Sequence, residues 1–342
     1  MSDDVRKLIL MTKSKEQMIT TQHVLKHFVA TSEPYDNAAI LAIKGQLFKD
    51  YMHLCRIHKW IEPAQGVWND EEFIDRVGFI DVITKRLATK MPTITLCYLD
   101  ILYEKKMYQD VVDEVQRLET STQVPEFAYV LGMMACLRIN TNSSLSAATC
   151  FYNGKSGGHI MKISRVVHPY ALLLCHQDNP RLALETVSLL SSRHFPALRA
   201  GIKVYLLSKL NRPEEACALL ESVLRNSARE DTALASSRGQ GVPKLIFSIE
   251  SVKALTEVVE SRKDVSLNAR LAGIFSRLDK VASITEKNMV ELVTADIDAD
   301  RSIKNKRLKE AQWWEKNGPG MKESISTAEI EDNELLDDRH HR

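Results

Sequence analysis

Apolar residues recur at i, i+4 and i+7 in several stretches of the chain, the spacing that lines one face of an α-helix. In NPRLALETVSLL the face is Ala183, Val187 and Leu190, and in NRPEEACALLESVL it is Ala216, Leu220 and Val223. Each stretch opens on a proline, Pro180 or Pro213, whose fixed φ suits a first helical turn. The same face returns upstream as Ala147 with Phe151, and as Val111, Val115 and Leu118. The anchors Val111, Ala147, Ala183 and Ala216 are spaced 36, 36 and 33 residues apart. A second apolar segment precedes each anchor helix: ITLCYLDILY (94–103), FAYVLGMMACLRI (127–139), VVHPYALLLC (166–175) and ALRAGIKVYLLSKL (197–210).

The repeated unit is therefore a helical hairpin of about 35 residues. Such a hairpin cannot bury both its faces alone, so neighbours are expected to stack. Strand signals are scarce. The fold expected is all-α, a right-handed α-solenoid of roughly five hairpins over 37–226. Its first unit is NAAILAIKGQLFKDYMHLC (37–55) followed by WIEPAQGVW (60–68), with Ala64 as anchor. Ala64 to Val111 is 47 residues, neither one period nor two. Residues 1–36 are expected to form an N-terminal helical cap, and 227–241, small and polar, a linker. Residues 242–317 are expected to be a C-terminal helical section in which Asp264 caps one helix and Gly318 and Pro319 close another. Residues 318–342, acidic and without aromatics, have the composition of a disordered tail.

A period near 35 in paired helices fits tetratricopeptide repeats, which bind peptides, and pentatricopeptide repeats, which bind RNA. The Trp, Leu-Gly and Tyr signature of the first is missing from the four clear units, whereas TLCYLDILYEKKMYQDVVDEVQRLE (95–119) is similar in part to the second. An ordered series carries the resemblance further: IKGQLFKDYMHLCRIHKWIEPAQGVW (43–68), YLDILYEKKMYQDVV (98–112), AYVLGMMACLRIN (128–140), PYALLLCHQDNPRLALETVSLL (169–190) and FSIESVKALTEVVESRKDV (247–265). Over about residues 35–295 the chain resembles the animal mitochondrial pentatricopeptide repeat domain protein 2 family. The resemblance implies a mitochondrial protein with degenerate repeats. It implies a role in RNA maturation, and so in respiratory-chain expression, with protein partners in processing and no catalytic residues. Two features depart from that family: about one hairpin's length is missing between Val67 and Ile83, and the start MSDDVRKL lacks the Arg- and Ser-rich, acid-poor composition of an import presequence.

Within pentatricopeptide units a polar residue of the first helix reads a base. The corresponding windows are 96–98, 130–132, 168–171 and 199–202, with Cys97, Leu131, His168 or Ala171, and Gly201 at the reading positions, and none holds Asn, Asp, Ser or Thr. RNA contact would then rest on phosphates, stacking and shape. Charge distribution agrees. Residues 60–126 hold seven Lys and Arg against thirteen Asp and Glu, net −6, and residues 151–212 hold nine against two, net +7. A polyanion is drawn to the second region. The candidate RNA contacts there are Lys155, Lys162, Arg165, Arg193, Arg199, Lys203 and Lys209. The bland reading is a solvated basic face. A basic C-terminal helix, RSIKNKRLKEAQWWEK, adds Trp313 and Trp314, a pair suited to stacking bases or to packing on the end of the repeats.

Signals for chemistry fail. GKSGG (154–158) lacks the glycine that a phosphate-binding loop needs at position 149, which is Thr149, and no strand precedes it. His23 and His27 share a helix face, but no H-E-x-x-H motif or third ligand accompanies them, and His340 and His341 sit in the acidic tail. No metal, cofactor, small-molecule substrate or catalytic residue is expected. No apolar run approaches the length of a membrane span. The six cysteines, Cys55, Cys97, Cys136, Cys150, Cys175 and Cys217, show no C-x-x-C pairing and are expected to be reduced, mostly buried thiols. The alternative function is a protein-interaction scaffold of tetratricopeptide type that does not touch RNA.

Overall fold

The computed structural model describes residues 2–32, 38–77, 91–121, 124, 126–153, 163–190, 196–234 and 245–299. Among these the chain is helical almost throughout. Helices α1 (Ser2–Met11) and α2 (Lys15–Thr31) form the N-terminal cap, tied to the next helix by an ion pair from Arg6 Nε to Asp50 Oδ2 at 2.8 Å. The hairpins follow: α3 (Ala38–His58) with α4 (Ile61–Trp68), then a short α5 (Glu71–Val77), α6 (Met91–Glu104) with α7 (Tyr108–Ser121), and α8 (Glu126–Ile139) with α9 (Asn142–Asn153). Two more are α10 (Ser164–His176) with α11 (Pro180–Ser188), and α12 (Pro196–Lys209) with α13 (Pro213–Leu234). The expected segments and the prolines opening α11 and α13 fall as the periodicity placed them.

One backbone device closes each hairpin. One or two residues past each first helix the backbone takes the left-handed conformation: Lys59 (φ 55°), Lys106 (61°), Asn140 (53°), Asp178 (58°) and Asn211 (55°). At four of them the next amide N–H reaches back to a carbonyl five residues earlier: Trp60 to Cys55 at 2.8 Å, Met107 to Leu102 at 3.0 Å, Asn179 to Leu174 at 2.9 Å and Arg212 to Leu207 at 3.0 Å. This 6→1 bond satisfies a helix-end carbonyl and turns the chain back on itself. Measured by these turns the spacing from Lys106 onward is 34, 38 and 33 residues. Leu145, not Ala147, holds the place five residues past the turn that Val111, Ala183 and Ala216 hold elsewhere, although Ala147 is buried too.

First helices touch first helices: α3 packs on α6, α6 on α8, α8 on α10 and α10 on α12. Second helices flank them, so α8 is surrounded, and its Met133, Met134, Ala135 and Cys136 are fully buried. That enclosure explains a segment apolar on all sides. Gly132 in α8 permits it, because a Cβ there would meet the Phe151 ring at 3.0 Å and Val115 at 3.3 Å.

The C-terminal section continues the stack. α14 (Ile249–Ser261) packs on α12, α15 (Val265–Val281) packs on α13, and Lys263 (φ 55°) turns between them, a sixth hairpin beyond the five expected. Asp264 caps α15 by accepting from the Ser266 and Leu267 amides at 2.8 and 3.2 Å, as its position before VSLNARL implied. Helix α13 runs to Leu234, into the segment expected to be a linker, and residues 235–241 lie outside the described residues. Two strands correct the helix-only expectation. β1 (Leu245–Ser248) and β2 (Ala282–Thr285) pair in parallel, Leu245 against Ala282 through Ser248 against Thr285. Four residues each are too few to display a period, and Phe247, expected at a helix start, is a strand residue. Helix α16 (Met289–Ala299) then packs back on α8 and α10, where Arg138 Nη2 donates to Thr294 Oγ1 at 2.7 Å. The helix expected over 298–317, with Trp313 and Trp314, and the acidic tail lie outside the described residues beyond position 299.

Candidate nucleic-acid interface

Helices α10 and α12 run side by side in the same direction. Near their starts the Arg199 charge acts on His168, and near their ends the Lys209 charge acts on Cys175 and His176. Their positive dipole ends therefore lie together. The N-cap of α10 is Ile163, which supplies no side-chain acceptor to the first turn. Arg165 and His168 stand one turn apart on α10, and Arg199 and Lys203 one turn apart on α12.

The polar atoms at this junction are incompletely satisfied. His168 is 2% exposed and its Nε2 has no hydrogen-bond partner; Arg199 Nε, also buried, has none. Burial, then the Arg199 guanidinium, pushes the imidazole down to about 4, so it is neutral near pH 7. Burial lowers Arg199, and burial followed by Arg199 lowers Lys203. No carboxylate enters any of these three shifts. A buried polar atom left without a partner costs roughly 1–3 kcal/mol. The sequences leading into the two helices, GKSGGHIMK (154–162) and SSRHF (191–195), also contain no Asp or Glu.

Of the seven candidate contacts, Arg165 and Arg199 thus share one end of the α10–α12 pair, and Lys203 stands one turn further along, at the middle of α12. Lys209 does not join them. It lies six residues beyond Lys203, roughly 9 Å along the axis, exposed, with its Nζ 5.3 Å from the Tyr205 ring centroid. Lys155, Lys162 and Arg193 lie outside the described residues. Two further cations of the basic region are engaged locally: Arg212 with Glu215 at 2.5 and 2.6 Å, and Arg181 with Glu185 at 3.4 Å. His168, by sequence a base-reading position, stands i, i+3 from Arg165, and that spacing is the signal that ties it to the cations.

The base-reading positions are closed. Cys97, Leu131, His168, Ala171 and Gly201 are all buried, and every one but His168 lacks a side-chain nitrogen or oxygen that could pair with a base edge. His23 and His27 are exposed, and no group of three metal ligands occurs among the described residues. Five of the six cysteines are buried and all six are free; Cys150 is exposed. No helix among the described residues is long and apolar enough to cross a membrane. Among the described residues, fold and site together define a mostly helical protein of repeat-like hairpins with a cationic junction between α10 and α12. Compared with family models, with curated proteins and with solved structures, the chain matches none.

Proposed function

We propose that this chain is a non-catalytic, RNA-associated helical-repeat protein whose hairpins form a right-handed α-solenoid of pentatricopeptide type. Mitochondrial RNA is its ligand, and mitochondrial RNA maturation its setting, together with protein partners. The observation that carries this reading is the pair Arg165 and Arg199 near two helix N-termini, with Lys203 one turn further along α12 and with the buried Nε2 of His168 and Nε of Arg199 lacking partners. The resemblance to the degenerate pentatricopeptide family supplies the location and the process. Because the base-reading positions are buried, the contact is made to phosphate and sugar, which positions RNA without reading sequence.

Crosslinking to RNA in cells tests the reading, comparing the wild type with a variant in which Arg165, Arg199 and Lys203 are all changed to Glu. Loss of crosslinked RNA from a folded variant supports it; an unaffected yield removes this patch from the function. In vitro, unrelated single-stranded RNAs of equal length should bind within about tenfold, about 1.4 kcal/mol, and weaken steeply with salt. A strong motif preference that survives high salt contradicts phosphate-led contact. The second reading, a protein-interaction scaffold, draws on α11, where Leu182 and Leu189 are 48% and 64% exposed seven residues apart on one face. Complete absence of RNA crosslinks favours it.

A further inference from the structure

We infer that the N-terminal ends of α10 and α12 form a phosphate pocket that grips one phosphoryl group between His168 Nε2 and the Arg199 guanidinium, with Lys203 completing the charge. The inference rests on the RNA reading for the source of the phosphate but not for the chemistry of the pocket. The two orphaned nitrogens lie buried on helices that pack against each other, and the charge on Arg199 acts on the imidazole. A single oxyanion accepts from both when the neutral imidazole carries its proton on Nε2, the tautomer this pocket requires, while the guanidinium donates in any case. Neutral imidazole with its proton on Nε2 donates one bond, the guanidinium a charge-assisted one, and the ammonium one turn along α12 a third. Phosphoryl oxygens match this donor set in number and charge. The aligned helix dipoles and the Ile163 cap, which leaves the first turn of α10 without a side-chain acceptor, add to the attraction. Arg165, one turn before His168, raises the positive potential at the rim.

The pocket differs from a generic basic face in its burial. A solvated lysine patch attracts any anion in proportion to charge and loses it to salt. Donors held inside a helix interface discriminate by geometry, so phosphate should bind more strongly than chloride or a monocarboxylate at equal ionic strength.

The full-length chain, titrated with inorganic phosphate and, at matched ionic strength, with chloride and with acetate, provides the test. Imidazole resonances are followed by NMR, with His168 assigned through His168→Gln. Phosphate should move the His168 resonance saturably and raise the thermal midpoint, with neither effect from chloride or acetate. Lys203→Gln should weaken phosphate binding at least tenfold, Arg199→Gln should abolish it, and Lys253→Gln, at an exposed position on α14, should leave it unchanged. Circular dichroism establishes that each variant is folded; should Arg199→Gln unfold, the Lys203→Gln titration decides. No saturable phosphate response, an equal response to acetate, as for an acidic protein partner, or a response indifferent to both variants overturns the pocket. Two RNA oligonucleotides of one sequence, with a 5′-phosphate or a 5′-hydroxyl, distinguish the source. Displacement of inorganic phosphate by both assigns the pocket to a backbone phosphate, and displacement by the first alone assigns it to a chain end. A phosphate response without RNA crosslinking leaves the pocket standing and removes the RNA reading. RNA crosslinking without a phosphate response does the reverse.

Discussion

The α3–α6 and α10–α12 interfaces are built alike, first helix against first helix, yet their buried polar groups meet opposite fates. In the first, Arg56 Nε bonds Asp100 Oδ2 at 2.8 Å with side chains only 9% and 7% exposed, and Cys97 Sγ lies 3.6 Å from His53 Nδ1. Nearby, Trp68 Nε1 donates to Glu114 at 3.0 Å while its ring stacks on Tyr98. In the second, His168 Nε2 and Arg199 Nε have nothing to bond. The α3–α6 interface supplies acceptors for its buried donors, whereas these two nitrogens of α10–α12 have no partner. A scaffold that needed nothing but its own folding would satisfy both interfaces in the same way. The asymmetry is the observation on which the proposed phosphate pocket rests.

The largest effect that can break this comparison is expected at Asp100. Asp100→Ala should destabilise the fold by about 3–5 kcal/mol, because it strands the Arg56 charge in a buried interface. Chemical denaturation measures it, and a loss under about 1 kcal/mol would mean that Arg56 finds another acceptor and that the two interfaces are less different than they look.

Acid should act on both interfaces. His53 is pushed down to about 3 by burial, then by the Arg56 and Lys49 charges, and His168 to about 4 by burial and Arg199, against an ordinary value of 6.5. The unfolded chain takes up these protons near pH 6.5 and the folded one only far below, so both contributions are complete above pH 6.5 and are lost as the pH falls toward 4. At pH 5 each histidine should have cost about 2 kcal/mol of stability. His168→Gln should remove one share of that loss, and phosphate should diminish the same share by favouring the imidazolium. A pH profile identical in the variant would show that His168 meets solvent in the folded state.

The smallest effect is the most discriminating. Arg199→Met keeps the aliphatic length and removes the orphaned guanidinium, so without ligand it should stabilise the fold by about 1 kcal/mol. If Arg199→Met destabilises the fold as strongly as Asp100→Ala, Arg199 is a structural residue and the contrast between the interfaces fails.

Much of this architecture was legible in the chain. The i, i+4, i+7 faces at Val111, Ala183 and Ala216 located the second helices, since one-sided burial imposes a 3.6-residue period on any helix that packs. Pro180, Pro213 and Asp264 marked helix starts because their backbone and side-chain chemistry is local. The charge segregation between 60–126 and 151–212 singled out the basic region without any coordinates. What tertiary structure decided is of another kind. Lys59, Lys106 and Lys263 hold left-handed turns that glycine or asparagine would have announced and lysine does not, because the return of the next helix, not the residue's preference, sets φ there. The strands β1 and β2 exist only because two hairpin helices bring segments 37 residues apart into register. Likewise, which cations act together could not be read from their number. Lys209 shares a helix with Arg199 and lies at its far end, whereas Arg165 and His168, more than thirty residues upstream, meet Arg199 because two helices pack in parallel. Periodicity, capping and net charge are local or additive properties that survive in a linear sequence. Whether a buried donor finds an acceptor depends on what the other helix places opposite it, and only the packed chain determines that.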